Sequence, residues 1–176
     1  MKNTIKKMLA IVMLIAVFAT CGMVSTQART QRKAPVRKST HSSYKVSTSN
    51  PNILSVRFDT EVSQADTSHT VRIYNFDKKT GSQLTLKDMF KKKANYKPVL
   101  NKEVRRQMNQ RMKKNPNKSY FPEEVAVSDA TSFYVNPKGN LVLVFDKGTV
   151  APMSTGLCEF TIPQSAIKNI ANPRYF

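Results

Sequence analysis

The stretch from Tyr74 to Phe90, YNFDKKTGSQLTLKDMF, constrains this chain more than any other, because its chemistry passes from strand to turn to helix. Tyr74 and Phe76 close a β-prone run. Asp77-Lys78-Lys79-Thr80-Gly81 supplies a turn in which Gly81 can take a positive φ without a Cβ clash. Thr85 stands where an N-cap hydroxyl is wanted, and Asp88, three residues on, forms a capping-box variant near the positive end of a helix. Leu86, Met89 and Phe90 make one apolar side. The passage predicts a structural strand-to-helix corner.

On the N-terminal side of that corner, Leu54, Val56, Phe58, Thr60 and Val62 alternate with Ser55, Arg57, Asp59 and Glu61. Period two predicts an amphipathic strand with one buried and one solvated face. Residues 63–68 are loop-like, and a second strand over His69–Phe76 completes a hairpin. On the C-terminal side, Asn95 can cap and Pro98 can enter a helix that runs to about Lys114. At 100° per residue, Leu100, Val104, Met108 and Met112 share one arc. Lys102, Arg106 and Lys113 gather opposite, with Arg105 at the boundary.

A second hairpin is expected from Ser132–Val135 and Asn140–Phe145 around the turn Asn136-Pro137-Lys138-Gly139. The unbroken apolar run Leu141–Phe145 reads as a central strand covered on both faces. Alternation in Leu157–Ile162 puts Cys158, Phe160 and Ile162 on one buried face. Pro163 then opens a short helix over Gln164–Ile170. The fold class is therefore α+β: an antiparallel sheet built from hairpins, with one longer basic amphipathic helix and short helices packed on it.

At 176 residues one ordinary domain is expected. Lys2, Lys6 and Lys7 precede the apolar run Met8–Ala19, and Thr26-Gln27-Ala28 offers small residues for cleavage, so residues 1–28 read as a secretory signal peptide. The run is shorter than the roughly 20 residues a membrane crossing wants. An uncleaved anchor, or lipidation at Cys21 after Phe18-Ala19-Thr20, are the alternatives. Residues 29–43, basic and Ser/Thr-rich, read as a disordered arm, and residues 44–176 as the single folded domain. The expected location is extracytoplasmic, secreted or bound to the envelope.

Charge then narrows the partner. The chain holds 29 Lys and Arg against 11 Asp and Glu, a net +18. Removing the signal takes three of those lysines and no acid, so the mature protein stays strongly cationic and attracts polyanions. Between residues 91 and 118 Glu103 is the sole acid. Lys102, Arg105, Arg106 and Lys113 are the candidate anion-binding residues. Wall polymer phosphates and anionic membrane surfaces suit a secreted protein; nucleic acid is disfavoured by secretion and by the lack of a basic-aromatic pattern. The loop Thr149–Gly156 is too apolar to be only a spacer, which makes Val150, Pro152 and Met153 candidate contact residues.

No reaction chemistry stands out. His41, His69 and Cys158 offer no zinc spacing; Asp59, Glu61, Asp66 and Asp77 could supply a carboxylate pair, but Asp59 and Glu61 lie on the expected wet strand face, where solvated charge is the ordinary explanation, and Glu123-Glu124 reads the same way. No cofactor is implied, and the protein is expected not to be an enzyme. A catalytic or accessory part in wall-glycan modification is the alternative.

Two separated sets of residues carry a family resemblance. The first is Tyr74-Asn75-Phe76-Asp77 with Thr80-Gly81 and Leu84-Thr85-Leu86-Lys87-Asp88-Met89-Phe90. The second is Leu143-Val144-Phe145-Asp146, Val150-Ala151-Pro152, Gly156 and Thr161-Ile162-Pro163. Over about residues 46–170 the chain resembles the extracytoplasmic domain of RsiV-type anti-sigma factors, found also beside polysaccharide deacetylase domains. The resemblance implies an α+β domain outside the cytoplasmic membrane that senses lysozyme by binding it. Where the family often has an aromatic residue after the late Ala-Pro, this chain has Met153. A sigma-binding segment and a deacetylase domain are not expected here. Familiar lysozymes are basic, and two cationic proteins repel unless local patches complement one another, so charge favours an anionic wall polymer over lysozyme.

Overall fold

A computed structural model describes residues 39–63 and 67–176. The expected signal peptide, Cys21 and most of the expected basic arm lie outside the described residues. Seven strands form two antiparallel sheets. The first, in order β1-β2-β3-β4, comprises β1 (Ser39–Ser49), β2 (Ile53–Ser63), β3 (Thr67–Asp77) and β4 (Gln83–Leu84). The second has β5 (Ser132–Val135), β6 (Leu141–Phe145) and β7 (Cys158–Ile162), with β6 central. The long helix α1 spans Tyr96–Lys114 and the short α2 spans Gln164–Ile167.

The hairpins expected from alternation form, but they divide between two sheets rather than joining one. β2 and β3 pair in full register from Ile53 opposite Asp77 to Ser63 opposite Thr67. The expected wet face of β2 is dry at its start: Ser55 is fully buried and donates to Asn75 Oδ1 at 2.6 Å. Asn75 Nδ2 in turn donates to the carbonyl of Phe133 at 2.8 Å, and Thr48 Oγ1 donates to the carbonyl of Val135. β5 is the edge strand of its sheet, so its outward carbonyls would be orphaned on burial. Side chains of the first sheet satisfy them.

β1 alters one sequence expectation. Residues 39–43, assigned above to a disordered arm, are the first half of this strand, paired with Asp59–Ser63 of β2. Its Ser and Thr residues give no apolar alternation because β1 is an exposed edge, so order begins before Tyr44.

The corner behaves as its chemistry requires. Gly81 has φ 76°, and Asp77 Oδ1 accepts the N–H groups of Lys79 at 2.8 Å and Thr80 at 3.1 Å. Asp88 Oδ2 accepts the N–H of Thr85 at 2.7 Å, so the capping contact forms, but on a single 3-10 turn, Leu86–Met89. The C-terminal tail clasps this corner. Asn172 N–H donates to Met89 O at 2.9 Å, and Phe90 bridges to Ala171. Asp77 Oδ2 accepts from Tyr175 Oη at 2.8 Å and pairs with Arg174 at 2.7 Å.

The core lies between the second sheet, α1 and the corner. Leu100, Val104 and Met108 of α1 are wholly buried there, with Met112 partly buried at the end of the same face. Leu141 to Phe145 are buried throughout, as a strand between two neighbours demands. Cys158, Phe160 and Ile162 of β7 point inward, as their spacing predicts. α2 is shorter than expected, its last turn closing through Ile170 N–H to Ile167 O at 2.9 Å.

Candidate binding faces

The proposed cations of α1 do not form one set. The Lys102 and Lys113 side chains are exposed and their ammonium groups have no partner among the described residues. Arg106 forks onto Glu103, with Nη2 to Oε1 at 2.6 Å and Nε to Oε2 at 2.8 Å. The Arg106 hydrogen bonds hold the Glu103 carboxyl below its ordinary range against the opposing effect of burial, and the Gln107 amide assists. Arg105 donates from Nε to Pro122 O at 2.8 Å and from Nη2 to Val125 O at 3.0 Å, tying the loop after α1 to the helix.

The same division extends over the molecule. Arg57 bonds Asp59 and reaches Glu159 Oε1 at 3.2 Å. Arg111 donates to Glu159 O at 2.9 Å while its guanidinium lies 4.4 Å from the Phe160 ring centroid. Arg174 serves Asp77. By contrast the side chains of Lys92, Lys93, Lys114 and Lys118 are exposed and make no hydrogen bond or ion pair among the described residues, like those of Lys102 and Lys113. A guanidinium matches planar acceptors and stacks on rings, whereas an ammonium is a hydrated point charge on a mobile stem. Here Arg57, Arg105, Arg106, Arg111 and Arg174 are structural, and although Lys78, Lys91 and Lys97 bond to the fold, the lysines on and just after α1's exposed side form the free charge.

The late loop also splits. Val150 is fully buried and Ala151 nearly so, because this segment crosses the core beside Phe121, whose N–H donates to Val150 O at 2.8 Å. Val150 is therefore a core residue and is corrected as a contact candidate. Pro152 is half-buried. Met153 is 66% exposed and opens a 3-10 turn, Met153–Thr155. Its Cγ lies 3.0 Å from where a Cβ on Gly148 would stand, so the bare glycine lets the Met153 side chain lie across the neighbouring turn.

Among the described residues no group of three or more His, Cys, Asp and Glu is placed to hold a metal ion. Asp59 is committed to Arg57 and His69, the latter at 3.3 Å. Asp77 is a structural carboxylate. Burial raises the Cys158 thiol, countered by nearby Arg111, which leaves it the unreactive partner of the core that its strand position implies. Among the described residues no helix is long and apolar enough to cross a membrane.

Residues 87–165 match the family described as "Protein of unknown function (DUF3298)". The Anti-sigma-V factor RsiV of Bacillus subtilis (strain 168) is 37% identical over 139 residues, covering 75% of this chain and 48% of that protein. The chain thus spans about half the length of the curated relative it matches. Among solved structures, a DUF3298 member from Bacteroides fragilis NCTC 9343 superposes with TM-score 0.61 at 18% identity, covering 78% of this chain and 55% of its own. One from Pseudomonas aeruginosa PAO1 superposes with TM-score 0.63 at 17% identity, covering 79% and 64% respectively. At such identities these two establish the fold alone.

Proposed function

Because this chain belongs to the RsiV-type extracytoplasmic domain family, we propose that it is a non-enzymatic binding module of the cell envelope that holds an anionic wall polymer on its lysine coat. The division of labour between arginine and lysine carries this reading. Lys102, Lys113, Lys114 and Lys118 gather on α1 and just beyond it with no internal carboxylate to neutralise them. Such mobile ammonium groups suit a phosphate-bearing or otherwise acidic polymer with no fixed geometry, bound by charge density rather than by a shaped pocket.

The test is retention of the mature protein on purified wall at low and high salt. Wild type binds at low salt and elutes as the Debye length falls from about 10 Å at 0.1 M to about 3 Å at 1 M. Replacing Lys102, Lys113, Lys114 and Lys118 by Gln abolishes retention without altering thermal stability. Undiminished binding by that variant would refute the reading.

The exposure of Met153 favours a second reading, in which the late loop contacts lysozyme through Met153 and Pro152. That contact is mainly apolar and survives the lysine replacements. A lysozyme pull-down with the Met153→Ser variant separates it from polymer binding, since only the apolar contact is lost there. Release of muropeptides by the purified protein would instead favour a part in wall-glycan modification.

A further inference from the structure

Among the described residues β1 forms a long sheet edge with no strand on its outer side. Eleven residues, Ser39–Ser49, pair with β2 on one side, and β1 ends the order β1-β2-β3-β4. Ser39–Val46 are all exposed. An edge of this length normally carries proline, several charges or a covering element that prevents pairing with another strand. β1 has no proline and no carboxylate, and Lys45 is its only Lys or Arg. A single register shift between Val46 and Thr48 interrupts it near its C-terminal end. Two of the three exposed large apolar residues of the described molecule, Tyr44 at 50% and Val46 at 44%, stand on this strand.

We propose that β1 is a self-association edge, at which a second copy of this chain adds antiparallel about a two-fold axis through Tyr44. The sequence of the strand is self-complementary in that register. Tyr44 faces Tyr44 of the second copy, Val46 faces Ser42, Lys45 faces Ser43, and His41 faces Ser47, so no like charges are opposed. Tyr44 also ends a cross-strand ladder of rings. Its centroid lies 6.2 Å from Phe58, which lies 5.7 Å from Tyr74. The axis continues this ladder into its copy and gives the half-exposed tyrosine an aromatic partner. Shifting the register by one residue would carry Tyr44 to the opposite face from its counterpart and break the ladder.

Both chains are strongly cationic, so their long-range repulsion opposes pairing and salt relieves it. The dimer therefore tightens with rising salt, whereas retention on an anionic wall weakens. The two behaviours are read independently, and this inference does not depend on the wall reading.

The experiment is sedimentation of the mature protein over a concentration series at low and high salt. A monomer–dimer equilibrium that shifts toward dimer at high salt is expected. The double variant Tyr44→Lys and Val46→Lys opposes two lysines across the axis at position 44 and sets the charge at position 46 diagonally beside them, at two already exposed positions. It is expected to weaken the dimer by at least about tenfold while keeping the wild-type far-ultraviolet dichroism spectrum. Under mild oxidation Tyr44→Cys is expected to give a covalent dimer and Ser42→Cys none, because only residue 44 meets itself. A protein that stays monomeric at all concentrations and salts, a dimer indifferent to the double lysine variant, or efficient cross-linking of Ser42→Cys but not of Tyr44→Cys would each overturn the proposal.

Discussion

Replacing Asp77 by Asn tests how the corner and the C-terminal tail are held together. The Asp77 side chain is 5% exposed and has four partners: the N–H groups of Lys79 and Thr80, the Tyr175 hydroxyl at 2.8 Å, and Arg174 at 2.7 Å. Burial by itself would raise the carboxyl, but the Tyr175 hydroxyl, the two backbone N–H groups and the Arg174 charge outweigh it and hold the group below its ordinary range. Asn keeps the shape and one acceptor oxygen, so the turn N–H groups stay bonded. The amide NH2 stands where Oδ2 did: it can donate to the Tyr175 hydroxyl, a bond falling from about 1.5–3 to about 0.5–1.5 kcal/mol, but it cannot accept from Arg174, which keeps only its 2.9 Å contact to Oδ1. Arg174 is 39% exposed, so solvent discounts its share. The expected loss is about 2 kcal/mol at pH 7, or a fall in Tm of about 8 °C for a domain of this size.

The sign with pH follows from the depressed carboxyl. Its stabilisation is fully present above the unfolded pKa near 3.9 and is lost as pH falls through the lower folded value. Thermal melts followed by circular dichroism should therefore show wild type and Asp77→Asn converging below about pH 4. Tyr175, whose hydroxyl is pushed up to about 12 by burial and by Asp77, supplies the second arm of a double-mutant cycle as Tyr175→Phe. A cost below about 0.5 kcal/mol at pH 7, or a gap undiminished at pH 2.5, would refute the clasp.

Arg105→Gln should cost about 1–2 kcal/mol in urea melts, because it strips donors from the carbonyls of Pro122 and Val125, and Arg105→Lys should recover less than half. Val150→Ser should cost about 3 kcal/mol by the same measurement and Met153→Ser less than about 0.5, since one side chain fills the core and the other lies in solvent. Asn75→Leu should cost about 2 kcal/mol in thermal melts, by leaving the Phe133 carbonyl unbonded and Ser55 without its acceptor.

The elements that rest on one repeating physical cue were readable in advance. α1 follows from the spacing of Leu100, Val104 and Met108, and the central position of β6 from an apolar run with no polar face. The corner followed from Gly81, Thr85 and Asp88, although nothing local set whether the capped turn would extend as an α-helix. The start of β1 is not legible, because an exposed Ser/Thr strand carries no apolar period. Ser55 sat on the expected wet face because its partner Asn75 lies across the hairpin and the acceptor Phe133 O belongs to another sheet. A sign was present: polar residues face each other at that register and nowhere else in the buried half of the hairpin.

The candidate site was readable as charge and not as geometry. Positive charge on α1 is plain from composition, but Arg105 owes its role to backbone carbonyls in a loop 17 to 20 residues away, which no helical wheel contains. Val150 read as loop because a segment crossing a core once has no periodicity, and its burial depends on the sheet and helix around it.

The separation of structural arginines from free lysines also bears on how such a domain can change over time. Exchanging Lys102, Lys113, Lys114 or Lys118 for neutral or acidic residues disturbs no bond that the fold requires. The strength of attraction to an envelope surface is therefore open to gradual drift, residue by residue, at almost no cost in folding. Arg57, Arg105, Arg111 and Arg174 lack that freedom, since each change leaves a carbonyl, a carboxylate or a ring without its partner. Related domains adapted to differently charged envelopes would keep the arginine framework and vary the lysines upon it.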